Sequence, residues 1–127
     1  MRAVTIPVSY GEAADRITIL RIKNERIRDP AKLGNVQQEL ALLTDAFFSQ
    51  VELATGFDAL FAELKSVNEA LWDVEEALRV REAKGDFGEG FVELARQVYR
   101  HNDRRAVLKR AIDELLGSEL REEKSYG

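Results

Sequence analysis

From Glu89 to Leu116 the chain carries no proline and repeats its apolar side chains at helical spacing, and any fold it adopts must be built around that stretch. At 3.6 residues per turn, Phe91, Leu94, Val98, Ile112 and Leu116 fall on one stripe. Asn102, Arg105 and Lys109 fall on that same stripe, within about 40° of its centre. A helix with apolar ends and a polar middle must find hydrogen-bond partners for that middle, or turn it toward a cavity or a second chain.

Three earlier segments show the same period. Ser9-Tyr10-Gly11-Glu12 reads as a capping box, with the Ser9 hydroxyl accepting from the third amide and Glu12 reaching back. The helix it opens covers 9–28, with Ala13, Ile17, Leu20 and Ile27 on its main stripe, Asn24 among them, and Ile19 and Ile22 on another flank. Asp29-Pro30 restarts the chain as N-cap and first helical residue. A second helix follows over 30–55, with Leu33, Val36, Leu40, Leu43, Phe47, Val51 and Ala54 inward and Gly56 as its left-handed stop. A third covers 58–84 with Leu60, Leu64, Val67, Leu71, Val74 and Leu78, and the short turn 85–88 leads into the fourth over 89–116. Before them, residues 1–8 alternate Val4, Ile6 and Val8, an extended arm expected to lie as a strap across the bundle. After them, 118–127 is a polar tail, either loose or folded back. The expected fold is a single all-α domain, an antiparallel four-helix bundle.

The chain has 127 residues, enough for a core without covalent staples, and no cysteine, which fits a reducing cytoplasm. No apolar run is long enough to span a bilayer and no signal peptide is read at the start, so no membrane association is expected. A net charge of −4 argues against nucleic acid as a partner. Residues 57–84 carry seven acids and four bases, whereas 96–110 carry six bases and one acid, so these two neighbours largely neutralise one another.

Pairing about the turn at 85–88 joins positions whose numbers sum to about 173, because both helices rise equally per residue. Asn68 then falls near Arg105, Trp72 near Asn102, and Glu75 near Val98. A mid-bundle polar layer follows, formed by Asn68, Trp72, Glu75, Tyr99, Asn102, Arg105 and Lys109. Arg105 and Lys109 would anchor an anion, the two asparagines would hydrogen-bond it, and Trp72 or Tyr99 would form a wall. The competing reading is a satisfied structural network that sets helix register. Glu69, Asp73 and Glu76 share one face of the third helix, the pattern a Mg²⁺-dependent nucleotide pyrophosphohydrolase needs, yet that face points away from the apolar stripe. His101 has no partner at metal-ligating spacing, and Arg96, Arg100 and Arg104 form a solvated face.

The strings SYGEAADRITILRIKNERI, VNEALWDVEEALR, FVELARQVYRHNDRRAVLKRAIDELLGSEL and EEKSY resemble a bacterial domain-of-unknown-function family of small all-helical proteins. The resemblance implies a bacterial cytoplasmic protein and supplies no functional residue. The expected function is non-enzymatic binding of an anionic small molecule or a partner protein at the polar layer, with no cofactor, by a homodimer. The alternatives are the helical hydrolase and a pure assembly module with its dimer face on Ile19 and Ile22.

Overall fold

The computed structural model describes residues 2–125. Four helices account for the regular structure among them: α1 (Tyr10–Arg26), α2 (Pro30–Gln50), α3 (Phe57–Lys84) and α4 (Glu89–Leu116). Helix α1 packs against each of the other three, whereas α2 comes backbone-close to α1 and meets α3 through the rings of Phe47 and Phe48. The two-flanked apolarity of α1 thus has an intramolecular cause. Ile22 is only 1% exposed inside this chain and Ile19 is half-buried, which removes Ile22 from any dimer face.

Each helix end has a local reason. Ser9 stays extended and its side chain accepts from the Glu12 amide, satisfying one of the free donors of the first turn. Glu12 does not complete the box; its carboxylate turns outward to Arg16 and Lys109. Asp29 caps α2 by accepting from the Ala31 amide, with Pro30 at the first position.

Helix α2 ends at Gln50, a turn and a half short of the expected Thr55, and Ala54 lies in the loop. Gly56 therefore does not close α2. It takes the left-handed conformation (φ 100°) immediately before α3. The cause is aromatic burial. The reversal at 51–56 brings the Phe47 ring to 5.8 Å from Phe57, while Phe48 stands edge-on to Phe57 and Phe61 at 6.2 and 6.4 Å. A helix continued to Thr55 would carry Phe57 away from that cluster.

Helices α3 and α4 are joined by a turn that Gly85 begins at φ 67°. Gly90 lies against the Arg81 guanidinium, and farther from the turn Arg104 pairs with Glu63. The core occupies the end of this hairpin remote from the turn. Ala14 and Ile17 of α1, Phe47 of α2, Phe57, Phe61 and Leu64 of α3, and Leu108 and Ile112 of α4 form one buried cluster. None of the described residues from 75 to 107 is buried. Of the N-terminal arm's alternating aliphatics, Val4 and Ile6 are 86% and 57% exposed and only Val8, next to α1, is half-buried, so the arm does not pack across the bundle as a strap through Val4 and Ile6.

Candidate functional site

The site forms where the start of α1 meets the C-terminal half of α4. A small-residue face on α1 allows the approach. Gly11, Ala14, Asp15, Thr18 and Ile22, at steps of three and four, are all buried. At Gly11 a Cβ would stand 2.2 Å from the Lys109 carbonyl oxygen, so only glycine permits the two backbones to come this close. Three first-turn amides of α1 then find side-chain acceptors. Tyr10 N–H donates to Ser118 Oγ (3.1 Å), Gly11 N–H to Asp113 Oδ1 (2.7 Å), and Glu12 N–H to Ser9 Oγ (3.1 Å). Asp113 is 1% exposed, and its negative charge sits at the positive end of the α1 dipole.

One turn further along α1, Asp15 is fully buried and takes a fork of bonds from α4. Arg105 Nε donates to Oδ1 at 2.8 Å and Arg105 Nη2 to Oδ2. Asn68 of α3 donates to Asp15 Oδ1 (2.9 Å) and to Thr18 Oγ1 (2.8 Å), and Thr18 in turn donates to the Asp15 carbonyl (2.7 Å). Asn68 and Arg105 thus do meet, with a carboxylate from α1 between them. Every buried side-chain nitrogen and oxygen among the described residues has a partner. The pairing with Asp15 outweighs the cost of partial burial and holds the Arg105 guanidinium pKa above its usual value.

Lys109 is the next cation along α4, nearly buried, with its ammonium between Glu12 (2.6 Å) and Glu122. Burial opposes its charged form, but hydrogen bonds to Glu12 and Glu122 outweigh that and raise its pKa. Burial likewise pushes Glu12 upward, and its bonds from Lys109 and Arg16 overcome this and leave it lowered.

The C-terminal segment folds back along α4. Gly117 turns the chain in the left-handed conformation (φ 71°), and Ser118 Oγ, while accepting from α1, donates to the Leu120 carbonyl at 2.7 Å. Glu122 then reaches Lys109, Glu123 reaches Arg110 (2.6 Å) and Lys124 reaches Asp103 (2.7 Å). Between this segment, α4 and the first turn of α1 lies a polar cavity of about 600 Å³. Asn102, Arg105, Lys109 and Arg110 form its α4 wall, Glu12 closes the α1 side, and Glu122 to Ser125 form the lid.

The other residues expected at the polar layer lie elsewhere. Trp72 donates its indole N–H to Glu76 (2.9 Å) and lies under the Arg26 guanidinium at 5.8 Å, so it does not reach Asn102. Glu75 is exposed, and Tyr99 is 56% exposed beneath Arg100. Asn24 accepts from Gln37 of α2 and takes no part in the layer. Of the three carboxylates weighed for Mg²⁺, Asp73 pairs with Arg26 (2.6 Å), Glu69 stands 3.9 Å from Lys65, and Glu76 holds Trp72. No three histidine, aspartate or glutamate side chains among the described residues converge to hold a metal ion.

Sequence reasoning missed Asp15, Thr18, Asp113 and Ser118 as members of the site. A signal for the first two was present in the 11, 14, 15, 18, 22 spacing, which shows itself only when small and polar residues are counted as a packing face. Asp113 and Ser118 carried none, because their roles depend on where α1 begins.

The chain belongs to a family of unknown function, DUF6165, whose model matches residues 4–127. No curated protein and no solved structure matches it. No helix among the described residues is long and apolar enough to cross a membrane.

Proposed function

We propose that this protein is a non-enzymatic binding module that recognises an anionic small ligand or an anionic segment of a partner protein in the cavity beside α4. One observation carries the reading: Arg105, Lys109 and Arg110 line a single wall, and carboxylates of the chain's own C-terminal segment lie on two of them. Without Glu122, Glu123 and Lys124, the charged lining is Arg105, Lys109 and Arg110 against Glu12 and Asp113, three positive groups to two negative. Asp113 is committed to the Gly11 amide and Arg105 to Asp15, so the groups left to meet a ligand are Lys109 and Arg110 against Glu12, two positive to one negative. Arg105 is the structural member of the set, held from behind by Asp15, whereas Lys109 and Arg110 are the anchors a ligand would use. The setting proposed with this function is a bacterial cytoplasm, where a chain free of cysteine has no thiol to protect.

Calorimetric titration with pyrophosphate and with citrate tests the reading. Heat that weakens as salt rises, and that disappears in Arg110→Gln, is the expected result. Absence of heat with either anion, in both the unsubstituted chain and a Glu122→Gln, Glu123→Gln variant, would overturn the small-ligand form of the reading and leave only the partner segment.

Homodimerisation is the second reading, and a separate observation favours it. Leu78, Phe91, Leu94 and Val98 carry the apolar stripes into the hairpin but remain only half-buried, since α1 and α2 do not cover that end. Pairing with a second copy would complete their burial. Sedimentation velocity reporting a monomer at tens of micromolar would remove it.

A further inference from the structure

The C-terminal segment shows what kind of molecule its groove is shaped to hold. Residues 119–125 belong to no helix or strand and meet α4 through their charged side chains. Three consecutive residues make the contacts: Glu122 on Lys109, Glu123 on Arg110, and Lys124 on Asp103. Two neighbouring cations of α4, and an anion about two turns nearer its start, are thus met by the acid-acid-base run of residues 122–124. A small dianion could satisfy Lys109 and Arg110 but would leave Asp103 without the base it now holds.

The hold on this segment is also weak enough to be exchanged. The Glu122 and Glu123 side chains are 61% and 77% exposed, and ion pairs so open to water contribute little. Ser118, by contrast, is buried and caps the first amide of α1, so the chain can open beyond it without uncapping that helix. Gly117 and Ser118 are a fixed root; Glu119 onward is the exchangeable part.

We infer that the groove beside α4 receives an acidic peptide segment of a partner protein, which displaces residues 119–125 and places two neighbouring carboxylates on Lys109 and Arg110. This rests on the anion-binding reading above and narrows it to peptide, with residues 119–125 acting as an internal competitor. Displacement exchanges one set of ion pairs for another and also gives up the Ser118–Leu120 and Arg121–Ser118 hydrogen bonds, so affinity is set by the difference between the incoming segment and the resident one.

The test uses the full chain and its Glu122→Gln, Glu123→Gln variant, in which both substituted side chains are exposed and the Ser118 cap is kept. The probe is a fluorescein-labelled peptide with the sequence SELREEKS, read by fluorescence anisotropy at low salt. The variant is expected to bind it roughly tenfold more tightly than the unsubstituted chain, because two resident ion pairs no longer compete. A peptide with both central glutamates replaced by glutamine should not bind, and adding Arg110→Gln to the variant should weaken binding of the acidic one several-fold. Equal binding of the acidic and glutamine peptides, or no gain in the variant, overturns the inference. Binding of pyrophosphate without binding of the peptide overturns the peptide class and leaves the anion site standing. Failure of both probes removes the site itself.

Discussion

The Asp15 carboxylate has no surface open to solvent, and Arg105 grips both of its oxygens from α4 while keeping 29% of its own side chain exposed. The burial is therefore lopsided: the acid has been withdrawn from water, and the base compensates it from the cavity edge. Such a pair contributes less to net stability than its removal costs, because deleting one member strands the other.

Arg105→Met should accordingly lower stability by about 3 kcal/mol, toward the low end for a broken buried pair because Asn68 still donates to Asp15. Adding Asp15→Asn should restore part of the loss, since no charge then remains stranded. Urea unfolding of the two singles and the double gives the coupling directly. Additive losses would mean that the two residues act independently.

Gly11 and Gly34 make opposite predictions from the same substitution. At Gly11 an added methyl meets the Lys109 backbone at 2.2 Å, and backbone cannot swing aside. Gly11→Ala should cost about 1–3 kcal/mol despite alanine's better helix propensity. At Gly34 nothing lies within 4 Å of the new Cβ, so Gly34→Ala should stabilise α2 by roughly 0.5–1 kcal/mol. Thermal melts of both variants should bracket the unsubstituted protein.

The Glu12–Lys109 pair sets a pH window. Glu12 is lowered in the folded protein, so its contribution is complete above the ordinary carboxylate value of about 4.3 and is lost as pH falls through its depressed folded value. Lys109 is raised, so its contribution is complete below about pH 10.4 and is lost as pH climbs past its elevated folded value. Stability should therefore fall at both extremes. In Glu12→Gln the acid limb should flatten, and urea midpoints measured from pH 3 to 6 would show whether it does.

Ser118 joins the root of the C-terminal segment to the start of α1. Ser118→Ala removes the acceptor for the Tyr10 amide and the donor to the Leu120 carbonyl, and should cost about 1 kcal/mol. It should also speed tryptic cleavage after Arg121 and Lys124, since the segment loses its tether. Unchanged cleavage would show that the ion pairs on α4 hold the segment unaided.

How far these features could be read in advance follows from the range of the forces behind them. Four helices were legible because apolar spacing, Ser9, Asp29-Pro30 and Gly85 act within a few residues of where they stand. The meeting of Asn68 with Arg105 was legible too, since two helices joined by a short turn must share a level. Gly56 was misread for a reason of the same kind: nothing nearby reveals that Phe47 will draw Phe57 back and end α2 early. Trp72 and Tyr99 were drawn into the site by level alone, which says nothing about the side of the helix on which a third element will pack. That side was chosen by α1, whose small-residue face admits the α4 backbone and brings Asp15, Glu12 and Asp113 together with Arg105 and Lys109. Local periodicity decides that a segment is a helix. Which helix supplies the countercharge depends on contacts about a hundred residues apart, Gly11 to Asp113 among them, and such contacts exist only once the chain has closed on itself.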